Sequence, residues 1–304
     1  MSDAAAIRYD VASAQAQGRR ERQEDALAVS CPQGADFGFA VVSDGMGGHA
    51  AGDLASRIIV AEIFAEVILR GRASLAAPGD LSQLLSEAVQ TANDSLRAQI
   101  EACPEQAGMG GTVVATALVD GGLQWASVGD SLLYLVRDGR IERLNDDHSM
   151  APEIDLMAER GLIDADQARS HPHRNCLTSA LTGQAIPELD CPARRVELRD
   201  GDVVLIASDG VGVLGEAAII GLLARTAGSE SREIAETLIA AVETCGDPEQ
   251  DNTSVVVIRV HRPARIPESA GRPQGVAESH FGSALASLFG RPALHAPATV
   301  KTRS

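Results

Sequence analysis

The sequence predicts an α+β fold built on antiparallel sheets. Short apolar strand patterns fall in neighbouring pairs, helical periodicity is confined to separate blocks, and the strict strand–helix alternation of a doubly wound sheet is absent. In chain order, FGFAVVS at 37–43 reads as a strand ending at Asp44, and TVVATALV at 112–119 as a second one after a glycine cluster. Strands at 123–128 and 132–136 flank Gly129-Asp130. Asp138-Gly139 then marks a hairpin whose returning edge is 141–144. DVVLIA at 202–207 runs into Ser208-Asp209, and SVVVIRV at 254–260 begins just after Asp251. Apolar residues recur at helical spacing over 54–69, 81–103, 152–160, 216–225 and 232–245. Asp53 and Gly71 bracket the first of these as start and stop signals. Residues 145–183 are rich in His, Pro, Asp and Arg with only short helical pieces, the pattern of an insert beside a site.

Composition narrows the function. The chain has 304 residues, 45% of them hydrophobic, enough for a core, and a net charge of −16. The acidic surplus argues against nucleic acid or anionic lipid as a partner. No apolar run approaches the roughly 18 residues of a membrane span, and MSDAAAIRYD lacks a signal-peptide pattern, so a cytoplasmic protein is expected. Five cysteines, odd in number and without C-x-x-C, are expected to be buried reduced thiols. The charge is uneven: from His261 onward six basic residues stand against two acidic ones, a net of +4, which leaves −20 for residues 1–260. That last stretch also holds five of the 13 prolines. A compact domain over 1–262 with a flexible tail over 263–304 is expected.

The acids fall at strand ends. Glu24 and Asp25 precede an apolar segment, Asp44 and Asp209 close strands, and Asp251 opens one. A single such Asp most often starts a turn, because Asp-Gly and Asp-Asn favour that geometry. Four sites in one recurring grammar point instead to a convergent oxygen cluster. Its acids repel one another unless hard cations such as Mg²⁺ or Mn²⁺ neutralise them.

RRERQEDA, VVSDGMGGHAAG, GMGGTVVATAL, SVGDSLLYLV, DDHS, HPHRNCLTSALTG, DVVLIASDGV and DNTSVVV occur in one order along the chain. Over about residues 8–260 this series resembles the PP2C-type (PPM) metal-dependent protein phosphatases, most closely the stand-alone bacterial members. The resemblance implies a β-sandwich of two antiparallel sheets with helices on both outer faces, in α-β-β-α layers. It also implies hydrolysis of phosphoserine and phosphothreonine by a water activated at a dinuclear Mn²⁺ or Mg²⁺ centre. By motif, Asp44 bridges both metals, the Gly45 carbonyl binds one of them, and Asp209 and Asp251 hold the other. Glu24 and Asp25 act mostly through waters, and Asp130 matches the ligand of a third, weaker metal. Arg20 matches the phosphate-binding arginine, a fork able to hold two phosphate oxygens. Its neighbours Arg19 and Arg22 read as surface charge. His49 is the candidate general acid. His148, His171 and His173 read as stabilisers of the insert, with His171 and His173 alternatively facing the substrate. The insert at 145–183 matches the family's substrate-selecting flap. Implied partners are phosphorylated proteins, a Ser/Thr kinase or the proteins it phosphorylates, met by a monomer. Gln23, Leu132 and Gly111 depart from the family's usual Asn, Arg and Thr, and none of these removes a carboxylate.

Two rivals remain. One is an inactive phosphoprotein-binding module on the same fold. The other is a dinucleotide-binding oxidoreductase, since GMGGHA fits G-x-G-x-x-A after a strand. Against the second, Asp44 would stand beside the pyrophosphate, and the acids about 20 residues on, Glu62 and Glu66, lie in a helical pattern. A P-loop is excluded because the chain's only lysine is Lys301.

Overall fold

The computed structural model describes residues 7–32, 37–47, 51–70 and 80–261. His49, Gly71 and the tail at 263–304 lie outside the described residues. The first sheet orders β1 (Arg8–Ala16), β12 (Thr253–His261), β11 (Val203–Ala207), β8 (Leu132–Arg137) and β9 (Arg140–Arg143). The second orders β10 (Val196–Glu197), β7 (Gly122–Val128), β6 (Val113–Val119), β3 (Phe37–Ser43) and β2 (Ala26–Ser30). All pairings are antiparallel. The small ribbon β4 (Gly45–Met46) and β5 (Gly110–Gly111) sits beside them.

Strand alternation generates the layers, because successive side chains leave opposite faces. Phe39 and Val41 of β3 pack with α1 (Ala51–Arg70) and α2 (Asp80–Ala102), while Ala40 and Val42 enter the core between the sheets. On β12, Val255 and Val257 pack with α5 (Gly215–Arg225) and α6 (Ser231–Cys245), while Val256 and Ile258 face the same central core. The result is three apolar layers in helix–sheet–sheet–helix order, the sandwich that the resemblance implied. Full burial of each such valine, isoleucine or phenylalanine contributes roughly 1.5–3 kcal/mol.

The strand and helix patterns fall within a few residues of their expected limits. Asp138 and Gly139, both at positive φ, turn β8 into β9 with Arg137 facing Arg140. One start signal differs: α1 begins at Ala51, so Asp53 lies in its first turn, where a carboxylate complements the helix dipole. Strand β1, the two-residue strands and α4 (Ala165–Arg169) carry no periodic run long enough to be read. The cysteines need a correction. All five are free, but Cys176 and Cys245 are exposed and the other three only half-buried. Burial still pushes the Cys31 and Cys191 thiols up to about 11, which keeps them protonated and inert.

Candidate active site

Register brings the acids to one end of the sandwich. Ser43 pairs with Ala26, so Asp44 and Asp25 leave the same end of the second sheet. Ala207 pairs with both Leu132 and Val255, so Asp209, Asp130 and Asp251 leave the matching end of the first. Asp25 joins the two: its Oδ2 accepts from Ser208 Oγ at 2.8 Å and Ser254 Oγ at 2.7 Å, both rooted in the first sheet.

Burial and mutual repulsion dominate the electrostatics. Asp25 is pushed up to about 6, first by burial, against the lowering effect of the two serines, with Asp209 and Asp251 adding repulsion. Asp44 is held well above the carboxylate range by burial and then by Asp209, Asp25, Asp251 and Asp130. Burial and Asp209 raise Asp130 to about 7. Asp209 is raised by burial and then by Asp251, while a hydrogen bond with Asp44 and the charge of Arg20 offset part of that. Glu24 is raised by burial, partly countered by Arg20.

Two close approaches shape the rim. Gly45 donates its N–H to the Glu24 carbonyl at 3.1 Å, and a Cβ there would fall on that carbonyl and on the Gly52 carbonyl at the start of α1. At Gly111 a Cβ would stand 2.8 Å from the Asp44 carbonyl and 2.9 Å from Ile59 Cδ1. A threonine at this position would therefore need its neighbours to shift. Gln23 likewise has a job: its Oε1 accepts from the Asp25 N–H at 3.0 Å and its Nε2 donates to the Ala16 carbonyl at 3.1 Å. Leu132 is buried and opens β8.

Arg20 Nη2 donates to Asp251 Oδ2 at 2.6 Å with its side chain 57% exposed, so it reaches the rim from solvent. Several partners escaped sequence reading. Asn252 accepts the Glu24 N–H at 2.8 Å and donates to the Gln17 and Arg22 carbonyls, stapling the 17–24 loop to the start of β12. Thr112 accepts the Asp44 N–H through Oγ1, which also bonds Ser131 Oγ at 2.8 Å. The only signal was adjacency, since Ser208 and Asn252 stand next to Asp209 and Asp251 in quoted motifs.

The rim opens into a cleft of about 890 Å³ whose far wall is the insert. His148 is buried and anchors one root: it accepts the Gly129 N–H at Nδ1, and its backbone N–H donates to the Gly129 carbonyl. Asn93 and Arg97 of α2 anchor the other root at Thr182, Gly183 and Gln184. His171 and His173 lie ring to ring, 5.8 Å between centroids.

A cation-binding centre fits these residues. Asp25 Oδ1 and Asp209 Oδ1 are buried without a hydrogen-bond partner, and orphaned carboxylate oxygens are what a hard cation satisfies. Among the described residues, no three His, Cys, Asp or Glu side chains stand in ligand geometry as they lie. The acids instead engage one another and Arg20.

Fold and site together define a class of protein: a two-sheet sandwich with helices outside and, at one end, a carboxylate rim whose orphaned oxygens suit bound cations. The sequence model of the protein phosphatase 2C family matches residues 14–242. The chain belongs to that family. It is 34% identical over 220 residues, 72% of its own length, to the serine/threonine protein phosphatase PstP of Mycobacterium tuberculosis, and spans 40% of that protein's length. It is 32% identical to the serine/threonine phosphatase stp of Listeria monocytogenes over 56% of this chain and 65% of the relative. The chain thus spans less than two thirds of these curated relatives. The solved structure of the mycobacterial PstP/Ppp superposes with a TM-score of 0.68 at 30% identity, covering 84% of this chain and 99% of that one. The PstP catalytic domain in complex with two manganese ions gives 0.67 at 29% identity, with the same coverage.

Proposed function

We propose that this protein is a metal-dependent serine/threonine protein phosphatase. The observation that carries the reading is the rim, where buried, mutually repelling carboxylates from both sheets meet beside an arginine on an open cleft. The relative solved with two manganese ions and the names of the phosphatase relatives support it.

Asp44, the Gly45 carbonyl, Asp209 and Asp251 would hold two Mn²⁺ or Mg²⁺ ions, with Glu24 and Asp25 behind them and Asp130 at a third, weaker site. Bound there, such ions neutralise the acids, acidify a water and stabilise charge on the attacking and leaving oxygens. The protein's own residues do the rest. Arg20 orients the phosphate with the N–H donors that Asp251 does not use. Asp25, held by two serine hydroxyls, fixes the spacing between the two halves of the rim. A water oxygen joins phosphorus, the P–O ester bond breaks, and the Ser or Thr oxygen leaves with a proton that His49 is proposed to supply. Substrates are phosphorylated proteins, among them a Ser/Thr kinase or its targets, met by a monomer in the cytoplasm. No described helix is long and apolar enough to cross a membrane. Residues 1–262 form the catalytic unit, and removing 263–304 leaves small-ester turnover intact; a collapse of turnover would refute that division.

The test is Mn²⁺-dependent hydrolysis of p-nitrophenyl phosphate and a phosphothreonine peptide. EDTA abolishes turnover, and Asp44→Ala or Asp209→Ala lowers it by about 100-fold or more, the scale of losing a main transition-state contact. Full activity in either variant would overturn the site. Mn²⁺ also raises the melting temperature by several degrees, as a ligand that binds only the folded state must, and Asp209→Asn reduces that shift.

A further inference from the structure

We propose that the insert wall of the cleft is a second anion subsite, in which Arg169 and Arg174 take an acidic group, phosphate or carboxylate, on a substrate residue flanking the scissile phosphoester. The proposal rests on the phosphatase reading above and adds a substrate class to it.

Arg174 lies in the loop after α4. Its Nη1 and Nη2 donate to Asp155 Oδ1 and Oδ2 at 2.7 and 2.8 Å. Asp155 belongs to α3 (Ala151–Glu159) and does not line the cleft, whereas Arg174 does. The carboxylate therefore grips the guanidinium from behind. That grip uses two of five N–H donors; the others make no hydrogen bond among the described residues, and the charge of Asp147 acts on the guanidinium from the cleft lining. Arg169, at the end of α4, repeats the arrangement: it lines the cleft, while its partner Asp166, one turn earlier, does not. Both members of that pair are exposed, so exchanging Asp166 for a substrate anion costs little.

The remaining charges make the wall one-sided. Asp147 is the only acid among the insert residues that line the cleft, and Arg143 engages it at 2.7 Å. Across the cleft, the Arg19 backbone N–H donates to the Gln250 carbonyl at 2.8 Å, and the Arg19 side chain lines the cleft together with the acids Asp247, Glu249 and Asp251. The acids of the lining thus gather at the rim and over residues 247–251, while Arg169 and Arg174 face them from the insert with N–H donors still free. A phosphoresidue seated at the rim occupies only part of a cleft of about 890 Å³, a volume that takes neighbouring residues as well.

The experiment compares kcat/KM of the full chain with Mn²⁺ on three phosphothreonine peptides of equal length. One has neutral flanks, one has glutamate flanks and one carries a second phosphoserine. The wild type favours the two acidic peptides by on the order of tenfold, chiefly in KM, the scale of one charge-assisted hydrogen bond, and high salt shrinks the preference. In R169A/R174A the acidic-to-neutral ratio falls toward one, and R174K keeps part of it. The ratio is the readout because a loss of folding lowers all three substrates together. The exposed single variant R169E, with an unchanged melting temperature, must lower the same ratio. A gain for both acidic peptides identifies charge as the feature recognised, and a gain for the second phosphate alone identifies phosphate. A double variant that keeps the wild-type ratio, or a wild type that turns over all three peptides equally, overturns the subsite alone. Absence of turnover on every peptide refutes the phosphatase reading and the subsite with it.

Discussion

The rim and the insert face each other across one cleft, yet they are built by opposite means. At the rim, each acid is placed by strand register and held by bonds between residues far apart in sequence, such as Asp25 to Ser208 and Ser254, or Glu24 to Asn252. Within the insert the ion pairs are local: Arg143 pairs with Asp147 and Arg169 with Asp166 one turn away, and Arg174 reaches Asp155 only 19 residues back, although Asn93 and Arg97 tie the insert's far root to α2. Long-range placement fixes a geometry that cannot drift without opening the sandwich, whereas short-range pairs can be exchanged while the fold stays intact. The difference teaches where chemistry and where selectivity can reside: the proposed reaction centre rests on the cooperative fold, and the proposed recognition subsite on a segment that changes cheaply.

That contrast is open to attack at three depths. Asn252→Ala removes an amide that is buried and makes three bonds across the rim; it lowers stability by about 2–3 kcal/mol in urea denaturation. A change under about 0.5 kcal/mol would mean that the 17–24 loop is held otherwise. Asn93→Ala cuts the tie between α2 and the insert root at 182–184. It costs about 1–2 kcal/mol, and amide exchange accelerates at Thr182 and Gly183 while β12 stays protected. Uniform acceleration through β12 would show that the insert and the sandwich open as one unit. Asp166→Ala removes an exposed pair inside the insert and shifts stability by less than about 0.5 kcal/mol. A larger loss would give the short-range pairs a structural weight that the contrast denies them.

The same division explains what the sequence disclosed. Strands such as Phe37–Ser43 were legible because they are buried on both faces and read as unbroken apolar runs. Strand β1 was not: it lies at a sheet edge with partly exposed positions, and Asp10, Ser13 and Gln15 interrupt its pattern. Asp44, Asp209 and Asp251 announced themselves by ending or opening apolar strands. Their supports Asn252, Ser208, Ser254 and Thr112 did not, because a hydroxyl or amide acquires its role only from the residue that folding brings opposite it. The arginines of the insert were invisible for a further reason: one that pairs with a near neighbour looks the same whether or not it borders a cleft.

Strand β12 carries a consequence for the order of synthesis. It lies between β1 and β11, so the last described strand to leave the ribosome is an interior strand of the first sheet. Until it arrives, β1 has no partner and β11 keeps an open edge, while β2, β3, β6 and β7 of the second sheet already have one another. The second sheet can therefore assemble on the nascent chain, but the first must wait for a strand more than 230 residues from β1, as the pairing of Gln15 with Ser254 requires. Asp251 precedes that strand and Arg20 follows β1, so the rim acquires both only in the final step of folding. A truncated or stalled chain accordingly exposes a sticky edge without ever presenting a working site.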